Sequence, residues 1–97
     1  MAFPSRNEQL QKKYGITEDI YHQISVAQDH KCAICRCHQT YKRLAVDHDH
    51  KTGQVRGLLC EQCNRGLGRF FDSPIRLRNA ASYIENSRQV YNKVMNG

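Results

Sequence analysis

The sequence predicts a small α+β domain, in which a β-hairpin and the helix after it are joined by two cysteine pairs and flanked by helices on both sides. Three observations lead there. The chain has 97 residues, 39% of them hydrophobic, which limits it to one domain with a core too small to be stable without help. Two CxxC pairs, Cys32-Ala-Ile-Cys35 and Cys60-Glu-Gln-Cys63, bracket its centre. Apolar residues recur at helical spacing outside the brackets and in short strand-like runs inside them.

The elements follow in order. Ser5 and Glu8 have the form of a capping box, so a short helix starts there and stops near Gly15. Thr17 caps a second helix, where Ile20, Ile24 and Ala27 form an apolar stripe reaching about Gln28. Leu44-Ala45-Val46 and Val55 to Leu59 read as strands, turned by Lys51-Thr52-Gly53. A short helix runs from Glu61 to about Leu67, ended by Gly66 or Gly68. Asp72-Ser73-Pro74 starts one longer helix, with Leu77, Ala80, Ala81, Ile84 and Tyr91 as a stripe for core packing. Dimer formation is the second use of that stripe. The chain thus divides into N-terminal helices (1–31), a metal-stapled core (32–70) and a C-terminal helix (71–97).

The cysteine spacing specifies zinc. A two-residue gap lets a tight turn aim both thiolates at one ion, and Cys32, Cys35, Cys60 and Cys63 complete a closed tetrahedral site, which is structural. The N-terminus lacks the layout of a secretory signal and no apolar run approaches a membrane span, so a soluble protein of reducing cytoplasm is expected. That compartment disfavours disulfides. Cys37 stands outside the knuckle spacing and is read as a free thiol; His22 and His30 lack a metal-binding partner at useful spacing.

Fifteen Lys and Arg against nine Asp and Glu give a net charge of +6, which favours a polyanionic partner. Residues 1–31 are neutral overall and read as packing material, while the next two thirds carry the excess. The candidate nucleic-acid contacts are therefore Lys42, Arg43, Lys51, Arg56, Arg65, Arg69, Arg76 and Arg78. Within this basic region lies Asp47-His48-Asp49-His50, with Asn64 directly after the second knuckle. Carboxylate and amide oxygens are hard ligands for Mg²⁺, and an unligated imidazole accepts a proton near neutral pH. An extended strand would send Asp47 and His48 to opposite faces, so the motif should lie at a strand end.

The CxxC knuckle, Asp47-His48-Asp49-His50, Gly53 to Leu59 and Cys60-Glu-Gln-Cys63-Asn64 together resemble the phage recombination endonuclease VII family of HNH (ββα-metal, His-Me finger) nucleases. The resemblance implies a zinc-stapled ββα-metal core, a phage origin, and DNA as partner. It implies a catalytic Mg²⁺ or Mn²⁺ held by Asp47 and Asn64, His48 as general base, and His50 against the scissile phosphate. Asp49 would hold His48 or stabilise the turn. The products would be 5′-phosphate and 3′-hydroxyl ends. Two departures bear on the substrate: the chain ends at Gly97, where the best-known resolving member carries a dimerising extension, and Leu67 stands where that member has a carboxylate. The expected activity is nicking of duplex DNA by a monomer or small homo-oligomer, with phage packaging or replication proteins as partners. Junction resolution is the alternative, and a non-catalytic zinc DNA-binding module is the alternative from a different class.

Overall fold

A computed structural model describes residues 5–97; the start of the chain, on which the expectation of no secretory signal partly rests, lies outside the described residues. It is a small α+β structure with five helices and one two-stranded sheet among those residues: α1 (Arg6–Tyr14), α2 (Glu18–Ala27), β1 (Ala45–His48), β2 (Val55–Leu59), α3 (Glu61–Arg69), α4 (Pro74–Glu85) and α5 (Gln89–Asn96). None of these helices is long and apolar enough to cross a membrane. The chain forms two compact units, one reaching Asn64 and the other Arg65–Gly97.

In the first unit the caps act as the side chains dictate. Ser5 Oγ accepts from the Glu8 amide at 3.1 Å, and Gly15 closes α1 in the left-handed region at φ 71°. Thr17 Oγ1 accepts from the Ile20 amide, while Asn7 Oδ1 accepts from the Glu18 amide and ties the two helices together. The core consists of Leu10, Ile16, Tyr21, Cys32, Leu44, Val46, Leu58 and Leu59. β1 and β2 are antiparallel, with Val46 opposite Leu58.

Gln28, at the end of α2, replaces a third strand. Its Oε1 accepts from the Leu58 amide at 2.9 Å, and its Nε2 donates to the carbonyls of Leu58 and Lys31 at 3.0 and 2.8 Å. The outward-facing backbone groups of Leu58 are thereby satisfied by a side chain at the end of a helix. A Cβ on Gly57 would stand 3.0 Å from Gln28 Oε1, which is why the smallest residue belongs there.

The second unit departs from the sequence reading in two respects. α3 runs through Gly66 and Gly68 to Arg69, and the chain turns at Phe71 and Asp72, both left-handed at φ 58° and 56°. The expected single C-terminal helix is two helices, broken at Asn86. The Asn86 side-chain amide donates to the Ser82 carbonyl, a local bond that competes with helix continuation. The stripe assigned to core packing is not buried: Ile84 is 71% and Tyr91 55% exposed, and α4 and α5 contain no buried residue.

Candidate active site and metal centre

Four sulfurs gather from two sequence-distant turns. The ligand atoms of Cys32, Cys35, Cys60 and Cys63 lie within 4.8 Å of one another, and Cys35 and Cys60 Sγ are 3.8 Å apart. Zinc–sulfur bonds of about 2.3 Å in a tetrahedron require sulfurs about 3.8 Å apart, so the cluster fits a structural zinc. The turns already aim N–H groups at sulfur, Ile34 at Cys32 and Cys63 at Cys60, both at 3.4 Å. Burial pushes the Cys32 thiol up, but amides of Cys60, Cys35 and Ile34 outweigh it and bring the group down to about 6. Burial, with the neighbouring sulfurs, pushes Cys63 up to about 12. Four thiolates packed this closely require a cation among them. Cys37 is outside the cluster, exposed, with its thiol directed to the Cys35 carbonyl.

The segment joining the knuckles anchors α3. Gln39 Oε1 accepts from the Glu61 amide at 2.9 Å, capping the helix that carries Cys63 and Asn64. Glu61 also accepts from the Tyr41 hydroxyl and pairs with Lys42 at 3.1 Å.

The hairpin is irregular where the acidic and imidazole residues stand. Asp47 pairs with Gly57 and His48 with Val55, so Arg56 is the additional residue of a β-bulge. The register shift falls between Asp47 and His48, and β1 ends at His48. Arg56 turns its side chain back onto Asp47 in a two-pronged pair, Nε to Oδ2 at 2.7 Å and Nη2 to Oδ1 at 3.0 Å. The Asp47 side chain is only 12% exposed. Asp49 belongs to the turn. Its Oδ1 accepts from the amides of Lys51 and Thr52 at 2.8 and 3.0 Å, bonds that, with Thr52 the larger cause, hold its carboxyl below the usual range. The His48 ring stands against His50 at 5.2 Å and Tyr14 of α1 at 5.4 Å.

The structure therefore brings His48 and His50 together and sets Asp47 beside His48 at the bulge. Asn64 stands in the first part of α3, exposed, one residue after Cys63, and no hydrogen bond joins it to Asp47. Several candidate DNA contacts have intramolecular partners. Arg43 pairs with Glu18 at 2.7 Å and stacks over Tyr21 at 3.7 Å, and this guanidinium holds the Glu18 carboxyl below its usual range. Arg76 lies over Phe71 at 4.5 Å. Lys51 is exposed on the hairpin turn, and Arg65, Arg69 and Arg78 are exposed on helices of the second unit. Tyr14 and the bulge role of Arg56 escaped sequence reasoning, because neither has a spacing signature.

The recombination endonuclease VII family model matches residues 7–86. Among curated proteins, the chain is 51% identical over 75 residues to the Gene 59 protein of Mycobacterium phage L5, covering 75% of this chain and 46% of that protein. It is 49% identical over 73 residues to the Gene 59 protein of Mycobacterium phage D29, covering 73% of this chain and 44% of that one. The chain thus spans less than half the length of these relatives. No solved structure matches it.

Proposed function

The chain belongs to the recombination endonuclease VII family, and from that premise we propose that it is a metal-dependent DNA endonuclease of the HNH type, built on a ββα-metal core and nicking duplex DNA. The observation that carries this reading is the position of Asp47 and His48 at the end of β1, where the hairpin register shifts and His48 and His50 stand ring to ring beside the bulge.

Asp47 and Asn64 are the residues that would hold the catalytic ion. Their donor set, one carboxylate and one amide oxygen, suits Mg²⁺ or Mn²⁺. The Asp47 carboxylate faces a cation, the Arg56 guanidinium on both its oxygens, which a bound ion would displace. When bound, the ion supplies neutralisation of charge on the phosphoryl group and the leaving 3′ oxygen. His48 accepts the proton of the attacking water, and Tyr14 and His50 confine its ring. Attack at phosphorus breaks the P–O3′ bond, leaving a 5′-phosphate and a 3′-hydroxyl. His50, exposed beside His48, contacts the scissile phosphate. Lys51, exposed on the hairpin turn, draws the flanking backbone, and the exposed Arg65 and Arg69 of the second unit are further cations for DNA. The phage origin of the relatives supports action in the cytoplasm of an infected host; phage packaging or replication proteins are the proposed partners.

Branched DNA is the second reading, favoured by the description of the family as a recombination endonuclease. The experiment is cleavage of matched linear, nicked and four-way substrates with Mg²⁺ or Mn²⁺. Nicks in all three support the duplex reading, cleavage confined to the four-way substrate supports resolution, and binding without cleavage of any of them leaves a zinc DNA-binding module.

A further inference from the structure

We propose that α1 holds a second DNA phosphate, flanking the scissile one, in a basic hollow beside His48; this rests on the nuclease reading above. The charge count of residues 1–31 conceals the site, because that third of the chain is neutral overall. The fold sorts those charges by place. A hollow of about 290 Å³ is lined by Arg6, Gln9, Leu10, Lys13, Tyr14 and Arg43. Three cationic side chains converge there.

Their compensation is incomplete. Arg6 and Arg43 share one carboxylate, Glu18, at 3.6 and 2.7 Å, while Lys13 has no ion-pair partner among the described residues. The hollow therefore carries a positive excess that an anion would neutralise. It is also preorganised, since Arg43 is clamped between Glu18 and the Tyr21 ring and Tyr21 is a core residue. Tyr14 supplies the link to the reaction: it lines the hollow and its ring lies 5.4 Å from that of His48. A strand whose scissile phosphate faces His48 passes close enough to place a neighbouring phosphate in the hollow. A polyanion of regularly spaced phosphates fits this arrangement, in which one charged site abuts another across a single side chain.

Lys12 provides a matched control. It precedes Lys13 on α1 and lines a neighbouring depression with Glu8, Gln9 and Lys13, but is not among the residues of the hollow that Tyr14 walls. Lys13→Gln and Lys12→Gln remove the same charge from exposed positions of one helix. The test measures binding of the zinc-loaded full chain to a fluorescein-labelled duplex by anisotropy, in EDTA-free buffer without Mg²⁺ or Mn²⁺, across a salt series. Lys13→Gln should reduce the slope of log K against log[salt] by about 0.9, the signature of one lost phosphate contact. Lys12→Gln should leave it near wild type, and Lys13→Arg should restore it. Equal slopes for the two Gln variants, with wild type binding and cutting DNA normally, would overturn the α1 site alone. Failure of the wild type both to bind and to cut would overturn the nuclease reading and this site together.

Discussion

Replacing Gln28 by alanine removes the side chain that stands in for a third strand. Three hydrogen bonds go with it, two of them to Leu58, which is completely buried. The Leu58 carbonyl retains the Ala33 amide at 3.1 Å, so the main penalty falls on the Leu58 N–H. A buried donor left without a partner costs about 1–3 kcal/mol. Taking about 2 kcal/mol and about 4–8 °C per kcal/mol for a domain of this size, the Tm should fall by about 8–16 °C. Thermal unfolding of zinc-loaded protein, followed by circular dichroism at fixed zinc concentration, measures this directly. The loss should also lower the proposed nuclease activity at temperatures where both proteins are folded, because β2 is the strand that pairs with Asp47 and His48. A stability change within about 0.5 kcal/mol, the range of an ordinary surface substitution, would refute the edge-pairing argument.

Two further outcomes follow from the metal and the hairpin. Cys60→Ser should unfold or aggregate the chain, since zinc binding contributes on the order of 10 kcal/mol to small structural sites, whereas Cys37→Ser, outside the cluster, should keep one zinc per chain by atomic absorption. Folded, zinc-free Cys60→Ser would contradict the staple. Arg56→Gln should bind Mn²⁺ about tenfold more tightly in titrations read by electron paramagnetic resonance, because the ion no longer displaces a two-pronged guanidinium from Asp47 and about 1.4 kcal/mol is the low end for a charged hydrogen bond. Weaker Mn²⁺ binding would mean that Arg56 positions Asp47 instead of competing for it.

Much of the first unit was legible because local rules act there without interference. Ser5, Thr17 and Gly15 cap where their chemistry places them, and the CxxC spacing alone located the sulfur cluster. β1 lies slightly later than the apolar run Leu44 to Val46 suggests, reaching Asp47 and His48, because ladder bonds to β2 and not hydropathy set its end. The contacts that organise the site were hidden for a common reason: they join distant residues through side chains without periodicity. Gln28 reaches Leu58, Gln39 reaches Glu61, and Tyr14 reaches His48. Charge proved local in the same way. The neutral N-terminal third was read as packing material, yet Arg6 and Lys13 line a basic hollow there together with Arg43, which Glu18 and Tyr21 hold in place. The C-terminal stripe shows the limit of periodicity, which marks an apolar face but not what covers it.

The most direct test of the central claim is conversion of supercoiled plasmid to open circle by purified zinc-loaded protein, wild type against His48→Ala. Wild type should nick with Mg²⁺ or Mn²⁺ and stop when EDTA is added, and His48→Ala, still folded and still binding DNA, should be slower by at least about 100-fold, the lower range for loss of a general base. Undiminished nicking by His48→Ala would contradict the account.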